Sequence, residues 1–214
     1  MLYRTILILL IYIAAGCGTT KKSAASHTEY LNQMSQYREG HILSVTSGNN
    51  TPLKPEDSPF LHFYPINSLY KVTCLVKTDD NSKPFEMPTY SGITRTYIRY
   101  AECECRINNV VFRPELYRNL TQPANPLYRN LLFLPFKDKT NGDETYGGGR
   151  YINLDISDIA EGKITIDFNK AYNPYCAYSE GYNCPIPPKA NHFDISILSG
   201  EKNYTGPIRQ RSVD

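Results

Sequence analysis

Three glycines followed by an arginine are the first residues of this sequence whose types could do chemistry. Gly147, Gly148 and Gly149 lead directly into Arg150. Glycine amides can adopt positive φ and approach a ligand closely, and a guanidinium can hold a carboxylate or a phosphate. The run lacks the Lys and Ser/Thr of a P-loop, and a strand pattern rather than a helix follows it. It is therefore either an anion-binding turn or a tight structural turn.

Two aspartates lie at the ends of predicted strands near this turn. Asp138 and Asp167 each have bulky apolar neighbours, which makes them the candidate general bases of an enzyme. In the structural alternative, Arg150 pairs with one of them. Asp143 and Glu144 follow Asn141-Gly142 and are typical of a solvated turn. The sequence contains neither the nucleophile elbow of a serine hydrolase nor a histidine pair at metal-ligand spacing.

Two cysteines lie in a loop rich in Tyr, Asn, Gly and Pro, where no apolar periodicity places them in a core. A disulfide between Cys176 and Cys184 is the first interpretation, because an oxidising compartment would favour it. The alternative is a metal or reactive-thiol site that also uses His192. Seven residues between the thiols match no standard zinc spacing.

The other cysteines of the body fall in strand patterns. Cys103 and Cys105 are two apart in one strand, so their thiols share a face about 7 Å apart, too far for a disulfide with each other. We interpret them, and Cys74, as small buried apolar residues.

The first residues resemble a bacterial lipoprotein signal. Arg4 precedes an apolar run from Ile6 to Ile13, and Ala14-Ala15-Gly16-Cys17 follows at once. The run is shorter than the ~20 residues that span a bilayer. We predict a signal peptide over residues 1–16, lipidation of Cys17 by acyl chains such as palmitate, and a flexible tether over residues 17–26.

The remaining chain, residues 27–214, is predicted to be a single β-rich domain. His27 to His41 has the apolar spacing of an amphipathic helix, with Gly40 near its end, and Ser47 to Pro59 is predicted to be a loop. Alternating or apolar runs predict strands at Tyr70–Lys77, Gly92–Ile107, Val110–Leu116, Asn130–Phe136, Arg150–Ile156, Lys163–Phe168 and Phe193–Ser199. The fold class is mainly β, an antiparallel barrel, roll or sandwich with an N-terminal amphipathic helix.

Composition narrows the class of partner. The formal charge is +2, with basic and acidic residues interspersed, so the sequence has no basic patch of the kind that nucleic acid binding needs. The 18 tyrosines, 13 glycines and 15 prolines suit a turn-rich β protein. No feature indicates a particular cofactor or oligomeric state.

Several spaced motifs resemble the bacterial family catalogued as domain of unknown function 1684. They are Phe133-Leu-Pro-Phe-Lys-Asp138, Thr145-Tyr-Gly-Gly-Gly-Arg-Tyr151, Asp167-Phe-Asn-Lys-Ala-Tyr-Asn-Pro-Tyr-Cys-Ala-Tyr178, Cys184-Pro-Ile-Pro-Pro188 with Asn191, and Gly200-Glu201-Lys202. The resemblance implies no established activity. It marks Asp138, Tyr146, Gly149, Arg150, Asp167, Asn169, Tyr172, Asn173, Cys176, Cys184, Asn191 and Glu201. The lipid-anchored form is similar to those of Bacteroidetes-type bacteria, and the tether lacks the acidic run associated there with surface export, so we expect an outer-membrane protein that faces the periplasm.

Three functional hypotheses remain open at this point. In the first, a lipid-anchored domain binds a small polar or anionic molecule in a cleft between the Gly147–Arg150 turn and the Asn169–Cys184 loop. Arg150 would hold the anion, assisted by Tyr172 and Asn173. The second is an enzyme at the same cleft, with an aspartate base or a metal, and the third is an envelope scaffold without a small-molecule site.

Overall fold

The computed structural model describes residues 19–48, 50–121 and 129–211, and within residues 19–25 it describes the course of the backbone only. The predicted signal peptide over residues 1–16 and the predicted lipidation site at Cys17 lie outside the described residues.

Most strands join one curled antiparallel sheet that forms a half-barrel, which confirms the predicted fold class. The order across the sheet is β7-β6-β5-β3-β1-β8, and β2 and β4 also pair with β3. The strands are β1 (Lys71–Thr78), β2 (Phe85–Pro88), β3 (Thr94–Ile107), β4 (Val110–Phe112), β5 (Glu115–Asn119), β6 (Leu131–Phe136), β7 (Arg150–Asp155) and β8 (Lys163–Asp167). Two short strands, β9 (Ser179–Glu180) and β10 (Arg209–Gln210), pair in parallel beside it.

The N-terminal helix α1 spans Thr19–Thr46 and is longer at both ends than the predicted element. It continues through Gly40 because Ile42 and Val45 extend its apolar side, where Val45 packs in a cluster with Leu53 and Tyr178. Its start places residues 19–26 in a helix, where the sequence predicts a flexible tether. Within the described residues, no helix is both long and apolar enough to cross a membrane.

A bulge in β3 reverses which side chains face the core. The register against β5 shifts between Arg99 and Ala101, so Ala101 pairs with Leu116 on the core side, whereas Arg99 pairs with Tyr117 on the other side. The simple alternation of the sequence places Tyr97 on the same face as Ala101. That assignment is wrong, because the extra residue inverts the pattern.

The part of the sheet formed by β3, β5, β6 and β7 therefore carries apolar side chains on both of its faces. Leu132, Leu134 and Ile152 point into the main core, while Phe133 and Tyr151 point to the outer face. An outer face of this kind needs a cover, and α1 supplies part of it.

Two further strand predictions differ from the structure. The Val110–Leu116 strand is two strands, β4 and β5, which pair with β3 on either side of Arg113-Pro114. Residues 193–199 are irregular rather than a strand, because the carbonyls of Ile197 and Ser199 turn to the guanidinium of Arg150 instead of to a neighbouring strand.

The interpretation of Cys74 and Cys105 as unpaired core residues is wrong. Register places Cys74 on β1 directly opposite Cys105 on β3, with a Cα–Cα distance of 4.4 Å, and the two sulfurs form a disulfide. Sequence spacing could not indicate this partner, because 31 residues separate the two cysteines. Cys103 is buried and free, as predicted, and burial raises the pKa of its thiol to about 12.

We expect the double substitution Cys74→Ala/Cys105→Ala to lower the free energy of unfolding by about 3 to 4 kcal/mol, because it removes a cross-link that closes a long loop of the unfolded chain. Urea unfolding of the oxidised protein measures this loss. Cys103→Ala is the matched control and leaves the disulfide intact. Alkylation of Cys74 in the unfolded protein without a reductant would contradict the pairing.

Candidate functional site

The guanidinium of Arg150 is fully buried and its hydrogen bonds go to the protein itself. Its Nη2 donates to a carboxylate oxygen of Asp138 at 2.5 Å and to the carbonyl of Ile197 at 3.0 Å. Its Nη1 donates to the carbonyls of Ser199, at 2.5 Å, and Glu201, at 3.2 Å. Arg150 has 0% exposed surface, so an external anion cannot reach it. The expectation that Arg150 holds a ligand is therefore corrected: it pairs with Asp138, as in the structural alternative.

The turn around Arg150 is built to bring this pair together. The second carboxylate oxygen of Asp138 accepts hydrogen bonds from the backbone N–H and the hydroxyl of Thr140. Gly149 has φ +98°, and a Cβ there would lie 2.6 Å from the carbonyl oxygen of Phe136. Gly149 is thus needed for close packing of the backbone, not for approach to a ligand, and Asp138 is not available as a general base.

Asp167 and Asn169 form a second buried polar group, at the end of β8. Asp167 accepts from the backbone N–H and the amide of Asn169 and from the hydroxyl of Tyr30 on α1. The amide oxygen of Asn169 accepts from the N–H of Asn67, and its nitrogen donates to the carbonyl of the same residue. These bonds fix a turn and the middle of α1, so the predicted catalytic role of Asp167 and ligand-binding role of Asn169 are not supported by their surroundings.

Glu201 is the third buried carboxylate, with 0% exposure. It accepts from the hydroxyl of Tyr178 at 2.6 Å, the backbone N–H of Asn173 at 2.9 Å, and Nε2 of His41 on α1 at 3.1 Å. A carboxylate only accepts, so this bond places the proton of a neutral imidazole on Nε2 and leaves the lone pair on Nδ1. Asn173, predicted to orient a ligand, is itself fully buried, and its amide donates to the carbonyl of Lys202.

A cleft of about 950 Å³ lies between α1 and the outer face of the sheet, and His41, which bonds to Glu201, lines it. The buried groups around Asp138, Asp167 and Glu201 are together called the buried polar layer. The floor of the cleft includes Arg95, Tyr97, Phe133, Tyr151 and Asn153 from strands β3, β6 and β7. These positions face outward because of the bulge in β3 and the alternation of β6 and β7.

The walls of the cleft come from α1 and from the loop after β8. Tyr37, Gly40 and His41 face it from α1, and residues between Tyr172 and Pro185 face it from the loop. Tyr172 lines this cleft, but the Gly147–Arg150 turn, which the sequence suggested as the other wall, does not.

Aromatic rings form a continuous surface across the cleft. Tyr97 stacks on Phe133 with ring centroids 5.8 Å apart, Phe133 meets the edge of Tyr151 at 4.8 Å, and Tyr151 meets Tyr172 at 5.9 Å. The ring of His41 follows at 5.6 Å from Tyr172. Such a surface binds the apolar faces of a ligand and is rigid, because each ring is held by the next.

The cleft carries positive charge only. Arg95 and Arg211 line it, and none of its lining residues within the described chain is Asp or Glu. Burial raises the pKa of Tyr37 to about 12 and that of Tyr151 well above its usual value, so these phenols stay neutral at ordinary pH. The arginines therefore set the sign of ligand charge that the cleft favours.

Cys176 and Cys184 are joined by a disulfide that closes the loop on one wall of the cleft. Tyr146 packs against this loop, and its hydroxyl donates to the carbonyl of Cys176 at 3.4 Å. His192 is exposed and its Nε2 lies 3.0 Å from the carbonyl of Pro187. The metal-thiolate alternative is therefore corrected, since both sulfurs are bonded to each other. Among the described residues, no group of three or more His, Cys, Asp or Glu could hold a metal ion.

Of the residues predicted from the sequence, Tyr172 and Cys184 line the cleft, and most others belong to the buried polar layer and do not line it. Sequence reasoning missed His41, Arg95 and Tyr151. The abundance of tyrosine was a signal that could have indicated an aromatic surface. Alternation alone assigned Tyr97 to the core face, because the bulge that turns Arg95 and Tyr97 to the outer face cannot be recognised from the alternation.

We expect Arg150→Met to destabilise the protein by about 3 to 5 kcal/mol, because it leaves the Asp138 carboxylate and several carbonyls buried without a donor. Chemical denaturation measures the change. Arg113→Met is the matched control: Arg113 pairs with Glu104 at the surface, and its loss should cost less than about 1 kcal/mol. Equal effects of the two substitutions would contradict the structural role of Arg150.

Comparison with known proteins supports the fold and gives the family. A comparison with curated protein sequences finds no match. The solution NMR structure of an uncharacterized protein from Haloarcula marismortui is similar, with 27% identity and a TM-score of 0.64 over 83% of this chain and 96% of that one. Residues 59–202 match the family described as protein of unknown function (DUF1684), which confirms the resemblance noted from the motifs. The chain belongs to the DUF1684 family.

Proposed function

We propose that this protein binds a small polar or anionic molecule in the cleft between α1 and the outer face of the sheet. The observation that carries the proposal is a cleft of about 950 Å³ that combines an aromatic surface with two arginines and, among its described lining residues, no carboxylate. Ligand sites in proteins are concave and mostly apolar, with a few polar groups that fix orientation, and commonly measure ~300–1,000 Å³. The cleft fits this description, at the upper end of the size range.

The buried polar layer supports the proposal because it holds the walls of the cleft in place. Tyr30 donates to Asp167, the hydroxyl of Tyr37 donates to the carbonyl of Lys170 at 3.1 Å, and His41 bonds to Glu201. These three contacts are spread along α1 over about three turns. A site whose walls are fixed before binding loses less conformational entropy when the ligand arrives.

The opposite wall is fixed by different means. The Cys176–Cys184 disulfide closes the loop, and the hydroxyl of Tyr151 on the floor donates to the carbonyl of Pro185 within that loop. The floor and both walls are thus connected by covalent or hydrogen bonds to the same half-barrel.

Lipid anchoring at Cys17, after removal of residues 1–16, forms the second part of the proposal. It would place the protein in the cell envelope, where we expect it to be anchored in the outer membrane and to face the periplasm. Helix α1 begins at Thr19 and contributes Gly40 to the cleft, 21 residues further on. At 1.5 Å per residue the helix would carry the cleft roughly 30 Å from the attachment point, within reach of molecules in the adjacent compartment.

We expect Gly40→Phe to abolish ligand binding while the protein stays folded. A Cβ at Gly40 meets no atom within 4 Å, so a large side chain there can extend into the cleft without displacing the helix. Equilibrium dialysis of the detergent-solubilised full chain against a mixture of sugars, sugar acids and aromatic acids, quantified by mass spectrometry, measures binding.

Gly40→Ala is the matched control for this experiment. It adds one methyl group in open space and improves helix propensity, so it should leave binding unchanged and raise stability by about 0.5 to 1 kcal/mol. Retention of no compound by the native protein, or equal retention by Gly40→Phe, would contradict the proposed site.

We expect Cys17→Ser to abolish lipid labelling of the protein, because the serine hydroxyl is not a substrate for thioether-linked lipidation. Cells fed an alkyne analogue of palmitate report the modification, and Cys103→Ser, which alters a buried thiol, is the control. Equal labelling of native protein and Cys17→Ser would contradict the assignment of the lipidated residue.

A further inference from the structure

We propose that the ligand class of the cleft is an acidic sugar, a short saccharide that carries a carboxylate, and that Arg95 binds this carboxylate. The inference rests on the proposed function and specifies the chemistry of its ligand. Three features of the cleft support it: an arginine without a partner, a wide aromatic surface, and several side-chain amides.

Arg95 is available to a ligand in a way that most other arginines are not. Its guanidinium makes no ion pair or hydrogen bond with the described residues. The nearest acid on the paired strand β2 is Glu86, whose carboxylate accepts from the hydroxyls of Thr94 and Thr96. Those threonines flank Arg95 along β3 and point to the other face of the strand. Arg95 is thus a charged group in a cleft whose described lining residues include no acidic counter-ion.

Several other arginines illustrate the contrast. Arg99 pairs with Asp79 and Glu115, and Arg209 pairs with Asp57. Arg211, the second arginine of the cleft, stacks on the ring of Tyr182, with the centroid 4.9 Å away. One guanidinium N–H of Arg211 also donates to the carbonyl of Gly181. Arg95 is therefore the group that best suits bidentate contact with a carboxylate.

The aromatic surface suits a sugar ring beside that carboxylate. Tyr97 lies two residues from Arg95 on the same face of β3, and the stacked ring of Phe133 continues the surface. Pyranose rings present a face of C–H groups that packs against aromatic side chains by dispersion and burial of apolar area. A carboxylate on Arg95 would place such a ring over Tyr97 and Phe133.

The amides distinguish a sugar from an aromatic acid. Gln36, Asn153 and Asn183 line the cleft, and the amides of Gln36 and Asn183 make no hydrogen bond with the described residues. Each amide both donates and accepts, as each sugar hydroxyl does. An aromatic acid could bind Arg95 through its carboxylate and pack against the rings. It would displace water from these amides without replacing the hydrogen bonds that the water made, and this loss weakens binding. A saccharide can satisfy all three kinds of group.

The test is isothermal titration calorimetry of the detergent-solubilised full chain with matched pairs of ligands. The acidic members are the di- and trisaccharides of galacturonic and glucuronic acid and the disaccharide that contains N-acetylmuramic acid. Their partners are the corresponding neutral saccharides, and 4-hydroxybenzoate represents the aromatic acids. We expect at least one acidic saccharide to bind about ten- to a hundredfold more tightly than its neutral partner, as a charge-assisted contact implies.

Arg95→Gln should remove this preference, leave the affinity for the neutral saccharide within about twofold, and keep the native unfolding midpoint. Arg113→Gln, remote from the cleft, should keep the preference. If 4-hydroxybenzoate binds more tightly than every saccharide, or if no acidic member exceeds its neutral partner, the sugar-acid assignment is overturned while the cleft remains a binding site. If Gly40→Phe leaves all binding unchanged, the proposed function itself fails.

Discussion

The structure depends on one buried ion pair, between Arg150 and Asp138. A guanidinium taken out of water must find partners for its charge and for most of its N–H groups, and the chain supplies a carboxylate and three carbonyls. Those carbonyls belong to alternate residues from Ile197 to Glu201. The segment is therefore shaped around the arginine and cannot form the strand that its apolar pattern predicts.

The contacts with Arg150 fix the position of Glu201, and Glu201 in turn fixes the position of α1. With its carbonyl on Arg150 and its backbone N–H on Ala171, Glu201 directs its carboxylate to Tyr178, Asn173 and His41. His41 in turn fixes α1 over the outer face of the sheet. A charge pair inside the half-barrel is thus connected, through a second buried carboxylate, to the wall of a cleft on its outside.

The sequence predicted the positions of the strands more reliably than the face of the sheet on which each side chain lies. Five of the seven predicted strands agree with the structure because alternation is a local property. The β3 bulge and the Cys74–Cys105 disulfide depend on register between distant strands, which one sequence does not display. The motif residues are unusual, as the sequence indicated. Arg150, Asp138 and Asn173 are unusual because they are polar and buried. A pattern of residue types cannot distinguish a buried polar residue that stabilises the fold from one that binds a ligand.

The family region and the cleft overlap without coinciding. The residues matched by the family, 59–202, supply the floor and the disulfide-closed wall, while α1 and Arg211 lie outside that range. Two motif residues of the family region, Asp167 and Glu201, accept hydrogen bonds from Tyr30 and His41 of that helix. In this chain, the polar layer of the family region therefore also serves as the attachment surface of a helix that lies outside the region.

Chemical modification distinguishes the buried Arg150, which holds the fold together, from the accessible Arg95, which faces the cleft. Phenylglyoxal reacts with exposed guanidinium groups, and peptide mapping of the native protein by mass spectrometry identifies the modified residues. We expect Arg95 to be modified readily and Arg150 to react only after unfolding. Modification of Arg150 in the native protein at the rate of Arg95 would contradict the burial of its guanidinium and its structural role.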